Sequence, residues 1–147
     1  MEALAYLNVK NIVHRDLKPE NILLENRRNY LCKIINFGVS ERVKKNDQSI
    51  KEAIGTAYYI APEVLLGECE CKSDIWSLGV ILYMMITGKP PFEGSDDREI
   101  IRKVRQGVFS MDPDDFEGIS EECKDLIQWM LTKDPKSRPN ARDALKH

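Results

Sequence analysis

His14-Arg15-Asp16-Leu17-Lys18-Pro19-Glu20-Asn21 is the stretch on which the reading of this chain turns. It sets an aspartate and an asparagine five positions apart, with a lysine between them. Those residue types suit phosphoryl transfer. Asp16 can take the proton of an attacking hydroxyl, and the amide oxygen of Asn21 can ligate a magnesium ion. Lys18 can neutralise charge on the group in transit. A bare His-Arg-Asp recurs by chance, whereas eight residues in this order carry far more weight.

Outward from this loop, the chain reads as mostly helical. Glu2 to Asn8 has an Ala/Leu/Tyr pattern that predicts the last two turns of a helix. The Ile/Leu runs Asn21 to Glu25 and Leu31 to Asn36 are parted by Asn26-Arg27-Arg28-Asn29, which predicts a two-stranded hairpin. From Gly38 to Gly55 the sequence is polar and aperiodic, as an exposed loop is. Pro62 to Leu66 predicts a short helical turn with proline near its start.

Ser73 to Thr87 is apolar on nearly all sides and meets Gly88, Pro90 and Pro91 at its end. Such a helix is expected to be a core element. Ser95 is the expected cap of a helix to Gln106 whose stripe is Ile100, Ile101 and Val104. Asp96 and Asp97 suit its positive end. Ser120 should cap another, carrying Leu126, Ile127, Met130 and Leu131 and stopped by Asp134-Pro135. A short helix over Ala141 to Lys146 completes a fold that is mainly α with one small β-hairpin.

Bulk properties narrow the function. At 147 residues the chain is one domain or part of one. A formal net charge of −2 and the lack of a dominant basic stripe give nucleic-acid binding no electrostatic support. Ile75 to Ile86, the most apolar segment, is shorter than the about 20 residues a membrane span needs, and no signal-peptide pattern opens the chain. The four cysteines lack disulfide or zinc spacing, so reduced thiols in a cytoplasmic protein are the expectation.

Further motifs follow the loop in order. Asn36-Phe37-Gly38 is succeeded by Gly55-Thr56-Ala57-Tyr58-Tyr59-Ile60-Ala61-Pro62-Glu63, then Asp74-Ile75-Trp76-Ser77-Leu78-Gly79, then Asp134-Pro135 with Arg138-Pro139. Together with 14–21 these resemble the catalytic loop, metal-binding turn, activation segment, central helix and closing signature of a serine/threonine protein kinase. The resemblance spans essentially all of residues 1–147, as a partial domain corresponding to the large C-terminal lobe, with the activation segment at 36–63. The wording around Gly55–Leu66 is most similar to the calcium/calmodulin-regulated group, especially calcium-dependent protein kinases.

The resemblance implies ATP and Mg²⁺ as cofactors of the parent kinase, and protein serine or threonine as acceptor. Asp16 would be the base, Lys18 the phosphate partner, and Asn21 with Asn36 the metal ligands. Thr56 would hydrogen-bond Asp16 and Lys18, and Leu23 would floor the adenine. Glu63 and Arg138 would form a buried ion pair, and Asp74 would bind backbone amides near His14 and Arg15. His14 would pack rather than shuttle protons, beside Phe37 and Gly38 of the metal turn. Arg15 marks kinases whose loop is ordered by a phosphate; the matching position here is Glu52, whose fixed charge is expected to replace it. Val39 would favour threonine as acceptor. Ala53, Ala57 and Ile60 would line a pocket for the residue after it, and Glu20 would meet a basic residue before it, without the usual second acid at Met84.

Two departures limit this expectation. Asn36 stands where the family has its magnesium-chelating aspartate, and losing one strong transition-state contact costs about 3–4 kcal/mol, a hundredfold or more in rate. Nor does the sequence hold a Gly-rich phosphate loop, a Val-Ala-Ile-Lys-type strand or a D-x-D-x-D-G calcium loop. The small lobe that covers ATP is therefore absent from this stretch. As a separate chain it is expected to expose the adenine floor and to bind nucleotide feebly. Two functions remain: a kinase fragment unable to turn over alone, and a pseudokinase or scaffold that binds protein partners.

Overall fold

The computed structural model describes residues 1–26, 30–43 and 57–147. Helix α1 (Glu2–Val9) leads to strand β1 (Ile12–Val13), a 3₁₀ turn (Pro19–Asn21) and strand β2 (Ile22–Leu24). Strands β3 (Cys32–Ile34) and β4 (Glu41–Arg42) follow, then a second 3₁₀ turn (Val64–Leu66). Four helices complete the chain: α2 (Ser73–Thr87), α3 (Asp97–Gln106), α4 (Glu121–Met130) and α5 (Ala141–Ala144).

The expected hairpin forms: β2 and β3 pair antiparallel with Ile22 opposite Ile34. A second two-stranded sheet was not expected. In it β1 pairs with β4, Val13 opposite Glu41, inside the stretch read as loop. Two-residue strands are too short to show any alternation, so composition alone pointed to a loop there.

Helix α2 is the axis of the domain, and its bounds are those expected. It ends at Gly88, whose φ of 73° lets its amide bond back to Met84 O. Trp76, Val80 and Tyr83 recur at helical spacing and enter a cluster with Phe92, Ile100, Val104, Phe116 and Ile127. Ile75 and Ile81 point the other way, to Leu4, Leu7, Leu17 and Met130. One helix thus serves two apolar clusters, which explains its near-continuous hydrophobicity. The helix is not buried all round, however. Met85 lies exposed near its end, beyond the reach of either cluster.

The capping expectations divide. Ser120 caps α4 by accepting from the Cys123 amide. At α3 the cap is Asp96 rather than Ser95, accepting from the Glu99 amide at 2.8 Å. Ser95 instead donates its hydroxyl and its amide to the Glu99 carboxylate. This is a reciprocal box shifted by one residue, because aspartate is the stronger acceptor of the two adjacent candidates.

Candidate active site

The loop 14–21 is held from below by α2. Asp74, buried on the first turn of that helix, accepts from the His14 amide at 2.8 Å and the Arg15 amide at 3.1 Å. Burial raises its pKa to about 6, opposed by those two amide hydrogen bonds. These contacts fix a strained backbone: Arg15 takes φ 70°, a region that residues with a Cβ seldom enter. His14 is fully buried, its ring edge against Phe37 with centroids 4.9 Å apart. Its Nε2 lies 2.9 Å from Ile35 O, and its Nδ1 accepts from the Asp16 amide at 3.3 Å, so Nε2 carries the proton.

Asp16, Lys18 and Asn21 come together as their spacing suggests. Lys18 Nζ stands 3.1 Å from Asp16 Oδ2. The amide of Asn21, the buried residue of the 3₁₀ turn, donates to Asp16 O at 2.6 Å and to Asp16 Oδ2 at 3.0 Å. The Asn21 backbone oxygen also accepts from the Ile35 amide, so the same residue ties the loop to the hairpin. Asn36, at φ 63°, donates its side-chain amide to Asn21 Oδ1 at 3.2 Å. Gly38 lies beside it, and a Cβ there would sit 3.5 Å from Asn36 Oδ1. Glu20 is exposed on the turn, and Leu23 is half-exposed on β2.

The other pairings are mixed. Arg138 and Glu63 form the expected buried ion pair. Arg15 meets Glu41 of β4, NH1 to Oε2 at 2.9 Å. Sequence reasoning missed Glu41, since nothing marked 41–42 as a strand. Glu52, Thr56 and Ala53 lie outside the described residues. Ala57 is buried and Ile60 partly so. Ile60 lines a cavity of about 20 Å³ under the loop, with Leu17, Tyr59, Val64 and Cys69. Burial, then the nearby Asp74 charge, push the Cys69 thiol up to about 12, which disfavours its thiolate. Ser73 and Ser77 were also missed; they bond Glu63 Oε1 and Tyr59 O from the same end of α2 as Asp74.

Comparison with known proteins accords with this geometry. Residues 1–147 match the family described as protein kinase domain. The chain belongs to the protein kinase family. It is 48% identical over 149 residues to calcium-dependent protein kinase 4 of Plasmodium berghei (strain Anka), covering 100% of this chain and 28% of that protein. The Plasmodium falciparum (isolate 3D7) protein of the same name gives the same figures: 48%, 100% and 28%. Calcium-dependent protein kinase 3 of Plasmodium berghei is 45% identical, covering 98% of this chain and 26% of that protein. The resemblance read from the motifs therefore holds, although this kinase chain spans only about a quarter of the length of those relatives.

The kinase family generally uses ATP and Mg²⁺, and the donor set can be tested against that ion. Magnesium favours one or two carboxylates together with phosphate and water oxygens. The two side chains expected to ligate such an ion, Asn21 and Asn36, are both neutral amides. Asn21 Oδ1 already accepts from Asn36, and Asp16 Oδ2 is shared by Lys18 and Asn21. Among the described residues, no three His, Cys, Asp or Glu groups gather where they could hold a metal. These residues do not fit a tightly held magnesium ion.

Proposed function

We propose that this chain is the large, C-terminal lobe of a serine/threonine protein kinase, and that its parent protein transfers the γ-phosphoryl group of ATP to protein hydroxyls. The observation that carries this reading is the placement of Asp16, Lys18 and Asn21 on a loop pinned by Asp74. Asp16, oriented by the Asn21 amide, takes the proton of the acceptor hydroxyl. Lys18 offsets charge on the transferring group, and the half-exposed Leu23 offers an apolar floor to the adenine. Glu20, exposed beside them, draws a basic residue of the protein substrate. The chain alone is expected to turn over feebly or not at all.

A second reading is favoured by one observation. The hydrogen bond from Asn36 to Asn21 occupies the oxygen that a metal would need. On that reading the domain binds protein partners without catalysis, through the face of the segment ending at Glu63 and helix α3. Phosphate transfer from ATP to a serine/threonine peptide separates the two. It is measured on the protein as its own gene encodes it, with Asn36 and with Asn36→Asp. Robust transfer with Asn36 in place sinks the non-catalytic reading; no transfer after restoring aspartate sinks the kinase reading.

A further inference from the structure

We propose that Asn36 has taken over the structural task of a divalent cation, so that the catalytic loop is latched to the turn at 36–38 by an amide proton and is indifferent to metal. The inference concerns how the loop is held and does not depend on whether the protein transfers phosphate.

Three hydrogen bonds leave little choice in the geometry. Asn21 Nδ2 donates to both Asp16 O and Asp16 Oδ2, at 2.6 and 3.0 Å. Flipping that amide would set its oxygen against two acceptors, so Asn21 Oδ1 must face outward, toward residue 36. An outward oxygen needs either a cation or a donor. Asn36 supplies the donor, at 3.2 Å, from a backbone at φ 63° that asparagine adopts readily. The relay Lys18–Asp16–Asn21–Asn36 is thus closed by protein groups alone.

An aspartate at position 36 would reverse this logic. Its carboxylate would face Asn21 Oδ1, acceptor against acceptor, and this side-chain latch would close only through a bound cation or a bridging water. The side chain at position 36 therefore decides whether the latch is built in or conditional on a bridging species.

Thermal unfolding without nucleotide tests this, in chelator and in millimolar magnesium or manganese. The natural protein should melt at the same temperature in all three. Asn36→Asp should melt lower in chelator, by about 2–4 °C, the size of one lost hydrogen bond in a domain of this length. It should regain that shift with either cation. Asn36→Gly, which tolerates the positive φ but has no donor, should melt lower in every condition and respond to neither metal. Equal stabilisation of the natural protein by magnesium would overturn the proposal, as would an Asn36→Asp variant with undiminished stability in chelator. If the variants fail to fold, the side-chain amide resonances of Asn21 and Asn36 in the natural protein decide. They should stay fixed through a magnesium titration, and a saturable shift in them overturns the latch.

Discussion

Arg138 grips Glu63 with both terminal nitrogens, NH1 at 2.6 Å and NH2 at 2.9 Å, and neither side chain is more than 3% exposed. The remaining guanidinium protons go to the backbone oxygens of Thr132, Lys72 and Lys133, so all five donors are used. The guanidinium also lies over the Trp76 ring, 5.0 Å from its centroid. This satisfies the condition under which a buried pair is tolerated, with every charge and proton answered.

Removing one partner should therefore be severe. Arg138→Met leaves the Glu63 carboxylate buried with only Ser73 beside it among the described residues, and should cost about 3–5 kcal/mol in urea unfolding. Adding Glu63→Leu should recover much of that loss, because it removes the stranded charge. Arg138→Lys should behave more like the methionine variant than like the parent, since an ammonium cannot span both carboxylate oxygens and three carbonyls.

Asp74 makes folding sensitive to pH. Its pKa rises from 3.8 to about 6 on folding, chiefly through burial. Between those values the native state binds the proton and the unfolded chain does not. The contribution is thus fully stabilising below pH 3.8 and is lost as pH rises through 6. Urea titrations across that window should show a negative slope from this group. Asp74→Asn should flatten the slope while also loosening the amides of His14 and Arg15 to hydrogen exchange.

Glu41 is half-exposed, so its pairing with Arg15 is expected to be worth little globally, about 0.5–1 kcal/mol or less. Its effect should be local. Glu41→Lys should speed amide exchange at Val43, whose amide bonds Asn11 O, and leave exchange in α4 unchanged. Equal acceleration in both places would contradict this assignment.

Gly79 sets the distance between α2 and α4. A Cβ there would meet Met130 Cβ at 3.0 Å and Leu131 Cδ2 at 3.1 Å. Gly79→Ala should therefore destabilise by about 1–3 kcal/mol through overpacking, against the gain in helix propensity expected for that change. A more stable variant would show that the two helices can part freely.

Much of this was legible because it is local. The bounds of α2 follow from its apolar run and Gly88, and Ser120 lies at the right offset to cap α4. Asp16, Lys18 and Asn21 share one loop, so their spacing nearly fixes their meeting. What escaped depends on contacts distant in sequence or on elements with no period of their own. Glu41 gains meaning only when β4 pairs with β1. Ser73 and Ser77 look like ordinary helix polar residues until the fold sets Glu63 and Tyr59 beside them. The choice of Asp96 over Ser95 as cap turned on one residue of offset, which pattern cannot resolve.

Ser73, Asp74 and Ser77 lie within the first five residues of α2, yet they hold two separate parts of the site: Glu63 and Tyr59 of one segment, and the His14–Arg15 amides of the other. That stretch works as a common hinge pin. A rotation of a few degrees there would be transmitted to the proton-handling loop and to the segment ending at Glu63 together. The two halves of the site then cannot drift independently, and lesions in this one stretch of helix should mimic lesions in either.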